Sequence, residues 1–137
     1  MDNKIKPQAL LSTLWMFILF NMLLRDLHEF PTDGYVEELM SLKLSDWTML
    51  FYGVIVEIPI SMVLLSRILP AKVNRWANIF AAIITLLGIL STLPQADLDD
   101  GFFALMNTVA IIGIVFTSRK LSVSGKEKQA DMVLKQA

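Results

Sequence analysis

The chain has 137 residues, 55% hydrophobic and 18% charged, with a formal net charge of −1, one histidine and no cysteine. A soluble domain carries nearer about a quarter charged residues, and a net charge so close to zero offers nucleic acid no global attraction. Without cysteine there is no disulfide, thiolate chemistry or cysteine-held metal, and a single histidine leaves little for a protein-only metal centre.

Most charges lie outside four apolar blocks, each able to cross roughly 30 Å of hydrocarbon as a helix. These blocks predict spans over residues 9–30, 47–69, 74–93 and 101–118. Residues 1–8 are polar, and Pro7 stands near the first helix start, where a missing amide hydrogen costs little. Residues 9–24 are compatible with a signal-peptide core, but Arg25, Asp26, Leu27, His28 and Glu29 follow in place of a small-residue cleavage site. A retained first span is therefore expected. Its uninterrupted apolar part is short, so Arg25, Asp26, His28 and Glu29 form its last turns at headgroup level, with Asn21 inside the membrane. Pro31 ends it.

Between the first two spans, a short interfacial helix is expected over 34–44, capped by Thr32 or Asp33. It would carry Val36, Leu39, Met40 and Leu44 on one side and Glu37, Glu38 and Lys43 on another. Asp46 is the expected cap of the second span, and Trp47 suits the interface. Pro70 stops that span. The connection 70–73 leads to the third, which starts at Asn74 with Arg75 and Trp76 in its first turn. Asp99 or Asp100 caps the fourth, and Arg119 and Lys120 mark its exit. The architecture expected is all-α: one polytopic membrane four-helix bundle over residues 1–120, followed by a polar, weakly helical cytoplasmic tail over 121–137.

Charge placement predicts orientation. Lys4, Lys6, Arg67, Lys72, Arg75, Arg119, Lys120, Lys126, Lys128 and Lys135 fall on one side, and only Arg25 and Lys43 on the other. This bias predicts that both termini are cytoplasmic. The acids collect on the opposite side, where their field favours cations over anions.

Glu57 is the residue that most needs explaining. It lies ten residues from both Trp47 and Arg67, hence about 15 Å from either end of its helix, at mid-depth. An exposed charge there costs roughly 3 kcal/mol on insertion scales, so the group must be neutral, paired, or facing water or protein. Gly53, Glu57 and Ser61 recur every fourth position and share a face. Gly53 admits a close backbone, and Ser61 offers a hydrogen bond. Pro59 lacks an amide hydrogen and leaves the Ile55 carbonyl without its helical donor, an arrangement used in cation and proton sites on broken helices. Asn21 in the outer half of span one, and Asn107 with Thr108 in the outer half of span four, are expected to line a small cavity with Glu57, open to the outer side.

Three readings of Glu57 stand. It stays protonated and hydrogen-bonds to Asn21, Asn78, Thr85, Asn107 or Thr108, each bond contributing roughly 1 kcal/mol. It takes part in proton or cation movement, or holds a cationic or amine ligand. It contacts a partner subunit. On the cytoplasmic side, Arg67, Lys72 and Arg75 are candidates for contact with an anionic lipid or phosphate. Asn74, Arg75, Trp76 and Asn78 cluster there, with Arg75 and Trp76 as headgroup anchors. No glycine-rich phosphate loop, serine elbow or paired-histidine pattern occurs, so no cofactor, metal or enzyme activity is expected.

The segments LSTLWMFILFNMLLRD, IPISMVLLSRIL and NRWANI together resemble a family of small bacterial four-span membrane proteins of unknown function, across residues 10–118. The resemblance implies a multi-pass protein of the bacterial inner membrane and brings no activity, cofactor or partner. Two functions are carried forward from the residues. One is a small proton- or cation-coupled transporter using Glu57, assembled as a homo-oligomer because four short helices enclose little room. The other is a non-catalytic accessory or scaffolding subunit of a membrane complex. Expected partners are membrane lipids and a second copy or partner subunit, not nucleic acid.

Overall fold

The structure, a computed structural model, describes the backbone of residues 5–136, and their side chains except at 95 and 122–131. Lys4 and the side chains of Lys126 and Lys128, counted in the charge bias, lie outside the described residues. The described chain forms α1 (Pro7–Glu29), α2 (Tyr35–Ser41), α3 (Asp46–Ile68), α4 (Ala71–Thr92) and α5 (Leu98–Gln136), with a single 3-10 turn, Leu93–Gln95, between the last two. Helices α1, α3, α4 and the Leu98–Leu121 part of α5 are long and apolar enough to cross a membrane.

Local chemistry explains where the helices begin, and it differs from expectation at four places. Ser45, not Asp46, caps α3: its Oγ accepts from the Thr48 amide at 3.2 Å. Asp97, not Asp99 or Asp100, caps α5, its Oδ1 accepting from the Asp100 amide at 3.1 Å. Gly34, not Thr32 or Asp33, precedes α2, with φ of 86°, a left-handed conformation that a side chain disfavours. Finally, α4 starts at Ala71, immediately after Pro70, because a proline without an amide hydrogen fits at the head of a helix. The α3–α4 turn is therefore reduced to Leu69 and Pro70, which draws Asn74 inside α4. At the far end, α5 continues as a helix well past its apolar part.

The helices pack in the cyclic order α1–α3–α4–α5, with α4 meeting α3 less extensively than α5. The core is a set of inward stripes at helical spacing: Leu11, Trp15 and Ile18; Met62; Ala81, Ala82 and Ile89; Ala110, Ile111, Ile114 and Leu121. Small residues matter because helices in lipid gain little from excluding water and associate through close packing. Gly113 shows this, since a Cβ there would lie 3.4 Å from Leu14 Cδ1. Large apolar side chains such as Phe20, Leu64, Phe80 and Phe116 are exposed on the outer surface, where hydrocarbon covers them in a membrane.

Candidate functional site

Polar residues inside the bundle separate into two groups with opposite character. The first sits at the end that carries the α3–α4 turn and the start of α1. Asn78 is its hub. The Trp15 indole donates to Asn78 Oδ1 at 2.7 Å, and Ser66 Oγ donates to the same oxygen at 3.1 Å. Asn78 Nδ2 donates to the carbonyl and side-chain oxygens of Asn74 at 2.9 and 2.6 Å. Asn74 Nδ2 in turn donates to the Ser66 carbonyl at 2.6 Å. Beside them, Arg67 Nε donates to Ser12 Oγ at 3.0 Å, and Ser12 Oγ donates to the Val63 carbonyl at 2.8 Å. Trp15, Ser66, Asn74 and Asn78 are wholly buried.

Among the described residues each side-chain oxygen of Ser12, Ser66, Asn74 and Asn78 has a partner, and the effect of the network is to tie α1, α3 and α4 together. A satisfied buried network specifies one packing, because breaking it strands polar atoms in a low dielectric. Sequence reasoning clustered Asn74 and Asn78 at the cytoplasmic start of the third span, with Asn78 a candidate partner of Glu57, and missed the hub. The signal was present in the four-residue spacing of the two asparagines, across a tight proline turn from Ser66. The three segments that carry the family resemblance meet here, through Ser12 and Trp15, Ser66 and Arg67, and Asn74 and Asn78.

Glu57 does not enter the bundle. It is exposed on the outer surface at mid-span, and its hydrogen-bond contact is with its own helix, Ser61 Oγ donating to Oε1 at 3.5 Å. The expectation that Glu57 and Ser61 join Asn21, Asn107 and Thr108 around one cavity is therefore corrected. The reason is rotational: Pro59, Met62 and Ser66 are the buried positions of α3. Glu57, two residues before Pro59, is rotated about 160° from it. Gly53 is exposed with Glu57, and a Cβ on it would meet nothing within 4 Å. Asn78, once a candidate partner of Glu57, is fully committed to the hub.

The second polar group lies at the opposite end of the bundle, away from the α3–α4 turn. A cavity of about 110 Å³ opens there between α1, α3, α4 and α5. Arg25, Asp26 and Asp100 stand at its mouth, Ile55 and Pro59 form one wall, and Thr85 and Asn107 line it more deeply. Arg25 Nε donates to Asp100 Oδ1 at 2.6 Å, its Nη2 reaches Asp100 Oδ2 at 3.4 Å, and it lies 3.5 Å from Glu29 Oε1. Asn107 lies seven residues beyond Asp100 along α5, hence about 10 Å deeper. The Asn107 Oδ1 and Thr85 Oγ1 atoms are buried without a hydrogen-bond partner among the described residues.

Asn21 is half-buried outside this lining, and its Nδ2 is likewise unpartnered among the described residues. Thr108 Oγ1 donates to the Ala104 carbonyl of its own helix at 2.8 Å. Of the polar residues expected to form an intramembrane site, Asn107 lines the cavity, and the expected kink residue Pro59 stands in its wall. Arg25, Asp100 and Thr85 were not foreseen there; Asp100 was read as a helix cap and Arg25 as a headgroup residue. Of the basic residues proposed for lipid contact, Arg67 is engaged with Ser12, Lys72 is exposed, and Arg75 lies over the Trp76 ring at 5.7 Å from its centroid. No cluster of three histidine, aspartate or glutamate side chains able to hold a metal occurs among the described residues.

Comparison with known proteins matches residues 1–124 to a family of unknown function, DUF6326. No curated protein and no solved structure matches the chain. With the match spanning nearly the whole chain and four helices of membrane-crossing length, the chain belongs to family DUF6326 and is a multi-pass protein of the bacterial inner membrane.

Proposed function

We propose that this protein is a non-catalytic subunit of a membrane assembly, formed by packing the Gly53, Glu57 and Ser61 face of α3 against the same face of a second copy. The observation that carries this reading is a carboxyl group at mid-span on the outside of the bundle, hydrogen-bonded among the described residues only to its own helix. Facing hydrocarbon, an ionised group there costs roughly 3 kcal/mol or more; a second chain removes it from lipid. Two copies inserted with the same topology place their Glu57 residues at the same depth, so a two-fold axis along the membrane normal brings them together. A protonated carboxyl both donates and accepts, and a pair satisfies itself. Gly53, one turn away, lets the backbones approach.

The test is association in lipid bilayers followed by single-molecule photobleaching or energy transfer. Wild type and Glu57→Gln are expected to dimerise similarly, since an amide is also self-complementary. Glu57→Leu and Gly53→Leu are each expected to weaken association about tenfold, or about 1.4 kcal/mol. A wild-type protein that stays monomeric at every protein-to-lipid ratio overturns the reading, and a different chain bound to the face replaces the second copy as occupant.

A proton- or cation-coupled transporter is the second reading, favoured because the cavity reaches Ile55 and Val56, next to Glu57 in sequence and depth. It requires pH-dependent cation uptake by proteoliposomes that is lost in Glu57→Gln as well as Glu57→Leu. In both readings the termini are taken as cytoplasmic from the basic bias. Activity of a C-terminal reporter that functions only in the periplasm would reverse that orientation.

A further inference from the structure

The cavity between α1, α3, α4 and α5 has a chemistry of its own, separate from assembly at Glu57, because it uses the opposite face of α3. Two features are unusual for a membrane interior. Asn107 is only 3% exposed and Thr85 only 7%, yet Asn107 Oδ1 and Thr85 Oγ1 have no hydrogen-bond partner among the described residues. Buried polar atoms in a native protein are almost always partnered by protein, water or ligand, and both line the same space. A threonine within a helix ordinarily donates to the carbonyl four residues back, as Thr108 does here. Thr85 has no such partner among the described residues, so its whole hydroxyl, acceptor lone pairs included, is available to a guest. Pro59, in the same wall as Ile55, has no amide hydrogen to give the Ile55 carbonyl.

Charge at the mouth points to the sign of that guest. One guanidinium, Arg25, is shared between Asp100 and Glu29, while Asp26 also lines the opening. Two lining carboxylates, with Glu29 beside Arg25, against one arginine leave the entrance negative, a field that concentrates cations and repels anions. The remaining walls are mostly apolar, with Met22, Ile89 and Ala104 among them. A pocket with apolar walls and a few convergent polar atoms is the usual form of a small-molecule site. Its volume of about 110 Å³ has room for several heavy atoms, well beyond a single water.

We propose that this cavity binds a small amphipathic amine. Its ammonium N–H groups donate to Asn107 Oδ1 and Thr85 Oγ1, its short apolar body lies against Pro59 and Ile89, and the acidic mouth supplies the compensating charge. Neither Asn107 nor Thr85 makes a side-chain bond to another helix among the described residues, so replacing either breaks no described tie in the bundle.

The experiment uses the full chain in lipid nanodiscs, titrated calorimetrically with n-alkylammonium ions from methyl to hexyl, with the matching n-alkanols and carboxylates, and with empty nanodiscs as reference. A saturable site is expected for an alkylammonium of intermediate length, with the matching alkanol at least tenfold weaker and the carboxylate not bound. Asn107→Leu is expected to lower ammonium affinity at least tenfold without lowering the unfolding temperature, and Thr85→Val severalfold. Gly88→Leu fills the cavity from α4, where a Cβ meets nothing within 4 Å, and is expected to abolish binding even if an Asn107 variant folds poorly. Asp26→Asn is expected to weaken the ammonium and leave the alkanol unchanged. Absence of saturable binding to wild type overturns the proposal, as does an alkanol that binds as tightly as the amine, or undiminished binding in Asn107→Leu or Gly88→Leu.

Discussion

Two asparagines in this protein are buried to nearly the same degree and do opposite things. Asn78 bonds to Trp15, Ser66 and Asn74, whereas Asn107 leaves its oxygen unpartnered among the described residues. Replacing Asn78 strands the Trp15 indole donor and breaks the hydroxyl contact of Ser66, and an orphaned buried group costs about 1–3 kcal/mol. Asn78→Leu is therefore expected to destabilise the bundle by about 2 kcal/mol or more. Asn107→Leu, which exchanges an unmet polar group for an apolar one of similar size, is expected to be neutral or stabilising. Reversible unfolding in bicelles, followed by steric trapping, measures both; equal destabilisation by the two variants would contradict this account. Glu57 teaches the same lesson at one position. Its depth followed from counting residues, but its direction depended on which face of α3 the other helices took.

Individual elements are held at their ends by contacts that can be tested apart from the bundle. Gly34 adopts φ of 86° ahead of α2, with open space around it. Gly34→Ala therefore meets no clash and costs only conformational energy, about 1–2 kcal/mol. Hydrogen exchange should quicken in Tyr35–Ser41 and stay unchanged in the four spanning helices. At the other loop, the Asp97 carboxyl is held below the usual carboxylate range, first by the neighbouring Asp99 carboxyl and then by the Asp100 amide. A lowered value means that the ionised cap favours the folded helix start. That contribution is complete above the ordinary carboxylate range near about pH 4, and it is lost as pH falls through the lowered value. Protection of the Asp100 amide should decline across that interval in wild type and be independent of pH in Asp97→Asn.

At the scale of the molecule, the two ends are stabilised by different physics. The end with the α3–α4 turn is locked by neutral hydrogen bonds among fully buried groups. The other is joined by an ion pair, Arg25 with Asp100, whose side chains are 29% and 13% exposed. Partial solvation limits such a pair to about 1 kcal/mol. A double-mutant cycle on Arg25→Gln and Asp100→Asn should return a coupling of about that size, diminished by salt. Cleavage and exchange should consequently reveal a tight end and a looser one, with the cavity in the looser. This division suits a site that must admit a guest, since local opening at that end leaves the asparagine hub intact.

Much of this architecture follows from local composition. Four apolar blocks long enough to cross a membrane, bounded by Pro31, Pro70 and the acidic run near Asp97, determine the number of spans and nearly where they end. Which face of each helix turns inward is not a local property here. In water a polar stripe marks the outside of a helix, but a membrane helix is apolar on its lipid face and its packed face alike, so periodicity loses its contrast. Only the packing of α1 and α4 on their neighbours decides that Pro59, Met62 and Ser66 face inward and Glu57 does not. The same packing closes the bonds of Asn78 and leaves Asn107 open to a cavity, because hydrogen-bond satisfaction depends on which helices meet.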